Sequence, residues 1–173
     1  MFTIVLLLFF LDRQIPSHPV NFEYSVKFTV INAGFEVEGT MKIKDALIRF
    51  DPDKFLDGKI QVSADPSSIE TGIGIRDKHL KRSDYLDATT YPEIQLRSKD
   101  FSKTGKNEFT GKFDLTIKSI TKEIIIPFTI KRKNDATFYQ GDFTINRLDF
   151  KIGEESLTLD ETVHIQVGAR REF

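Results

Sequence analysis

The chain of 173 residues is long enough for one domain with a proper core and too short for two comfortable ones. Its 39% hydrophobic and 29% charged residues are ordinary for a globular protein, and a formal net charge of −1 gives no general pull toward nucleic acid or anionic membranes. There is no cysteine, which excludes disulfides, thiolate catalysis, Cys-based zinc sites and a lipid anchor on Cys.

Phe2 to Leu11 is apolar except for Thr3, and Asp12, Arg13 and Gln14 stop the run. A bilayer-spanning helix needs about 20 apolar residues, so this stretch is too short to span and fits the h-region of a secretory signal peptide. Residues 1–20 are therefore read as a signal peptide and 21–170 as the folded domain, with a periplasmic or secreted location expected. A basic n-region and a small-x-small cleavage site are both missing. The competing reading of the run is a buried first strand.

From Phe22 the chain alternates. Phe22, Tyr24, Val26, Phe28 and Val30 share one parity and Glu23, Ser25, Lys27 and Thr29 the other, the pattern of a half-buried strand. After Asn32-Ala33-Gly34, Phe35, Val37, Gly39, Met41 and Ile43 resume, and a further run ends at Phe50 before the turn signal Asp51-Pro52-Asp53. Ile60, Val62 and Ala64 predict a strand closed by Asp65-Pro66. Ile94, Leu96 and Ser98 predict the next, followed by the turn-rich stretch 103–107. Phe109 to Ile117 alternates strictly, and Ile124, Ile126, Phe128 and Ile130 follow a connection over 119–122. Pro127 lacks a donor, which predicts a local edge or bulge. Tyr139 to Ile145, then Leu148, Phe150 and Ile152, then Val163, Ile165 and Val167 complete the series. Many short strands with regular turn signals predict a single all-β sandwich or barrel.

Gly39, Gly111 and Gly141 all fall on the apolar parity, each between large apolar neighbours two residues away. Glycine weakens a strand, so three in one phase point to sharp bending in a closing barrel, to space left for a ligand, or to both. Either reading favours a curved, closed sheet.

The period breaks only between Ser67 and Pro92. Residues 68–90 form a charged excursion, with one or two helical turns predicted over Arg76 to Leu86 and an extended exit at Tyr91-Pro92. The set Ser68-Ile69-x-Thr71-Gly72, Arg76-Asp77-x-His79-Leu80, Asp84-Tyr85-x-Asp87 and Tyr91-Pro92 resembles the YceI-like family of lipid-binding proteins. The likeness continues through Gly111-x-x-x-Leu115-Thr116-Ile117, Thr121-Lys122-x-x-x-Ile126-Pro127-Phe128 and Phe143-x-Ile145-Asn146-Arg147-x-Asp149-Phe150. Each motif alone is weak, but their order and spacing over residues 22–168 are specific. Lys151 departs from the pattern, since family members usually carry Gly there, and this leaves the shape of that rim open.

The resemblance implies a closed, eight-stranded, antiparallel, lipocalin-like barrel with a helical segment beside it. It also implies an exported bacterial protein holding a polyisoprenoid, an isoprenoid quinone or a fatty-acid-like amphiphile, with no other cofactor. Parity then selects Phe28, Phe35, Val37, Val62, Phe113, Leu115, Phe128, Phe143 and Ile145 as cavity lining. Leu80, Tyr85 and Leu86 are expected at a lid or mouth, and Asn146 and Arg147 as a polar anchor or an end closure. Periodicity fixes the apolar face but not whether the interior is hollow. A packed barrel acting in stress response or protein interaction therefore stands as the alternative, and a homodimer is compatible with either.

Catalysis is not favoured. His79 lies near Asp77 and Ser83, but the spacing supports only local contacts, and no nucleophile elbow or glycine-rich phosphate loop is present. Three histidines, at 18, 79 and 164, make a His-based metal site improbable. The basic run from Arg76 to Arg82 reads as a solvated face, or as a transient contact with anionic lipid headgroups.

Overall fold

The computed structural model describes residues 22–172. The expected signal peptide lies outside them. Eight strands follow in order: β1 Phe22–Asn32, β2 Phe35–Arg49, β3 Lys59–Glu70, β4 Ile94–Lys103, β5 Glu108–Ile117, β6 Ile120–Lys133, β7 Ala136–Asn146 and β8 Thr162–Glu172. Each pairs antiparallel with the next, and β8 returns to β1 to close the barrel. Every strand thus has a partner on both sides, although some ladders cover only part of a strand: β6 pairs with β7 over Phe128–Lys133 and β3 with β4 over Gln61–Ala64. A short helix, α1 Gly74–Leu80, lies in the β3–β4 connection.

The parity read in the sequence holds along β5, where Phe109, Gly111, Phe113, Leu115 and Ile117 are buried and the residues between them are not. The three in-phase glycines share a second property. Each is paired across the ladder with a phenylalanine: Phe28 with Gly39, Phe101 with Gly111, and Phe128 with Gly141. Side chains from neighbouring positions fill the space a Cβ would need, namely Phe28 at Gly39, Phe113 and Phe101 at Gly111, and Ile126 and Val167 at Gly141. Glycine here lets a bent strand accept a large side chain against its backbone.

Two expectations are corrected, and one open point is settled. β3 does not stop at Asp65-Pro66. It runs to Glu70 through an irregularity in which Thr40 pairs with Glu70 but Lys42 with Asp65. Ser68 makes this workable, because its Oγ accepts from Lys42 N–H at 2.8 Å and donates to Asp65 O at 2.6 Å. Leu148 and Phe150 are not in a strand. Arg147–Phe150 is a 3-10 turn, started by the Asn146 side chain accepting from Leu148 N–H at 2.9 Å. The rim at Lys151 keeps a glycine-like shape, since Lys151 itself adopts the left-handed conformation (φ 53°). Pro127 sits where its missing donor matters least, one residue before the β6–β7 ladder begins at Phe128 opposite Gly141.

Candidate functional site

The barrel is filled unevenly along its axis. At the end made by the β2–β3 and β4–β5 connections, Phe50, Phe101, Phe109 and Phe128 pack edge-to-face or stacked, with ring centroids 4.9 to 5.9 Å apart. Phe55 joins at 5.8 Å from Phe109. This aromatic plug absorbs much of the phenylalanine excess, and it closes that end.

Toward the α1 end the interior is empty. A cavity of about 300 Å³ is walled almost wholly by apolar side chains from every strand but β6, and by the lid. A smaller space of about 90 Å³ lies between it and the plug. Val26, Ile43, Val62, Leu96 and Val167 line both, forming a waist between two chambers of one channel. The inward-facing side chains of β1, β2 and β8 in this half are only partly buried, whereas those of β5 and β7 are buried. In a closed barrel an inward side chain keeps accessible surface only where the interior is not filled.

Ten of the side chains selected from sequence lie in the wall of the larger chamber: Phe28, Val37, Val62, Leu80, Tyr85, Leu86, Leu115, Phe143, Ile145 and Arg147. Phe113, packed on Phe101, and Phe128, itself part of the plug, line the smaller one. Two do not line it. Phe35 is 76% exposed, because it stands on the β1–β2 turn beyond the barrel's rim, where inward parity no longer meets an interior. Asn146 faces solvent, donating to Glu161 Oε2 at 2.9 Å besides capping the 3-10 turn. Met41, Ile43, Ile165 and Val167 also line the chamber, and their shared strand parity was the signal available for them. Ile69 and Leu159 do so from irregular backbone that periodicity does not reach.

The lid is tied down at several points. Thr71 donates from its N–H at 2.8 Å and its hydroxyl at 2.6 Å to Asp77 Oδ1, while Arg76 Nε donates to Thr71 Oγ1 at 2.9 Å. These bonds fix α1 to the end of β3. The Thr71 hydroxyl is the chief reason that the Asp77 carboxyl is held below the ordinary aspartate range. Gly153 N–H donates to Asp84 O at 2.8 Å, and Lys118 Nζ donates to Ser83 O and Lys151 O, joining the lid to two neighbouring connections. The His79 and Tyr85 rings meet edge-on at 4.6 Å.

Arg147 is 2% exposed. Its Nε, Nη1 and Nη2 donate to the carbonyls of Asp160, Ile152 and Leu159, clamping the β7–β8 connection over the barrel. The basic residues of the chamber wall are Arg76, His79 and Arg147, and it carries no carboxylate. Among the described residues no group of three or more His, Asp or Glu side chains is placed to hold a metal ion.

A family model for the YceI-like domain matches residues 19–170. A UPF0312 protein of Pseudomonas syringae pv. syringae is 32% identical over 145 residues, covering 78% of this chain and 76% of the relative. Protein YceI of Shigella flexneri is 32% identical over 135 residues, covering 73% and 70%. The crystal structure of Burkholderia cenocepacia BcnA superposes with a TM-score of 0.81 at 24% identity, over 85% of this chain and 95% of that one. A polyisoprenoid binding domain from Saccharophagus degradans, implicated in plant cell wall breakdown, superposes at 0.65 with 12% identity, over 86% and 93%. Both structural likenesses are likenesses of fold.

Proposed function

This chain belongs to the YceI-like family, and on that premise we propose that it is a binding protein, not an enzyme, that carries or stores a long apolar amphiphile of isoprenoid or fatty-acid type in its barrel. The observation that carries the reading is the hollow, half-exposed apolar interior of the α1-end half, stopped at the other end by the phenylalanine plug. A preformed apolar chamber with a few polar groups at one end is the usual form of a small-molecule site. That a fold neighbour is a polyisoprenoid binding domain supports the ligand class.

The ligand's tail points to the plug, and its polar end lies among Arg76, His79 and Tyr85. Burying hydrocarbon is worth about 0.8 kcal/mol per CH₂, against about 4–15 kcal/mol for immobilising a ligand, so several isoprene units are needed before binding becomes useful. The same arithmetic disfavours short ligands. An exported protein in the periplasm, working between membranes, is the setting that the apolar run at residues 2–11 supports.

The test is to fill the waist. Val62→Trp should abolish uptake of an added isoprenoid quinone or polyprenol while the melting transition survives. Equal uptake by Val62→Trp, or none by the unaltered chain, would contradict the reading.

A further inference from the structure

Six large apolar side chains among the described residues stand more than half exposed, and four of them are at the α1 end: Phe35, Ile73, Ile75 and Leu157. Ile75 is 87% exposed and Leu157 fully so. They come from three segments that border one another. Ala33 N–H donates to Thr158 O at 2.7 Å and Asp160 N–H to Ile31 O at 2.9 Å, seating the turn that bears Phe35 against the loop that bears Leu157. Ile73 and Ile75 follow directly on β3, the neighbour of Phe35's own strand. Interleaved with these four in sequence are chamber-wall residues: Asn32, Val37, Arg76, His79 and Leu159. Single exposed apolar residues are common, but a cluster around the mouth of an apolar cavity marks a contact surface.

We propose that this rim docks onto a lipid bilayer, seating the barrel mouth-down so that a tail passes between membrane and chamber without crossing water. The proposal rests on the carrier reading above. Charge supports the choice of occupant. Arg76, Lys78, Lys81 and Arg82 lie on α1 or just after it. Asp77, held by Thr71, and Asp84, paired with Arg82 at 3.6 Å, keep their charges, so four cations against two acids leave the 76–84 segment basic on balance. A basic face beside projecting isoleucines suits the headgroup region of a membrane. Glu154 and Glu155 flank Leu157 on the other side of the mouth, so the barrel tilts onto its α1 side. Anionic lipid therefore strengthens the contact without being required for it.

Flotation with vesicles of phosphatidylcholine, alone or mixed with phosphatidylglycerol, tests this on the whole chain. Phe35→Ser, Ile75→Ser and Leu157→Ser combined should weaken vesicle binding at least about tenfold. The combined variant should also slow quinone uptake from vesicles in step, with melting and uptake from detergent-dispersed quinone unchanged. Leu56→Ser, equally exposed at the plugged end, should change nothing. Vesicle binding retained by the triple variant overturns the proposal. So does a dimer that the triple variant dissociates while the parent ignores vesicles, since the rim would then serve a second copy. Absence of uptake from detergent in the parent would sink the carrier reading instead, a result separable from the other two.

Discussion

The ring of Phe28 on β1 occupies the space above Gly39, its cross-strand partner on β2, so that a methyl group added at residue 39 would overlap it. Phe28 is also part of the chamber wall. The glycine thus holds a large side chain out of the lumen.

Gly39→Ala should push that ring inward. Overpacking of this kind costs about 1–3 kcal/mol of stability, and the chamber narrows. Affinity for branched isoprenoid tails should fall more than affinity for straight chains of equal carbon number, as measured by calorimetric titration beside a melting curve. Equal losses for both would argue against a steric role for Phe28.

Arg147 should be a large single contributor to stability. Truncation to Ala removes three guanidinium hydrogen bonds and strands three carbonyls, a loss of about 3 kcal/mol or more. Lysine should rescue little, because one ammonium on a flexible stem cannot reproduce a planar fork reaching three acceptors. Urea unfolding of the two variants gives the comparison.

Lys151 offers the opposite sign. It holds φ 53°, a conformation disfavoured for side chains other than glycine, while only its backbone enters the hydrogen bonds to Leu148 O and from Lys118 Nζ. Lys151→Gly should stabilise by about 0.5–1 kcal/mol, the relief of left-handed strain less the extra entropy of an unfolded glycine. A lower midpoint in the same urea assay would contradict this.

Acid should loosen the lid before it unfolds the barrel. The Asp77 carboxyl titrates below its ordinary value chiefly because of the Thr71 hydroxyl. Its contribution is therefore fully present above the unfolded aspartate value of about 3.9 and disappears as pH falls through the lower folded value. Hydrogen exchange of the 71–80 amides should accelerate in that window. In Asp77→Asn it should already be faster at neutral pH, with the acid dependence gone.

The strands and the position of the non-strand excursion were legible because two-residue alternation survives in nearly every strand, whereas closure into an eight-stranded barrel was implied by the in-phase glycines and the family resemblance. Depth along the barrel axis was not. Phe113, Phe128 and Phe143 share an inward parity, yet Phe128 belongs to the plug, Phe113 lies beside it and Phe143 lines the larger chamber. Alternation names a face and is silent on which level of the barrel that face meets. Where side chains rather than backbone ladders set the path, the pattern misled. Ser68 carries β3 past a proline, and Asn146 turns an apparent strand at Leu148 and Phe150 into a 3-10 turn. Phe35 failed for a simpler reason, since its strand begins beyond the rim.

The hollow chamber is tested most directly by native mass spectrometry of the chain purified from its own host, followed by organic extraction. The account predicts one long-chain apolar molecule per chain, released on denaturation and displaced from Val62→Trp. Protein that emerges empty and stays empty after incubation with polyprenols, quinones and fatty acids would contradict it.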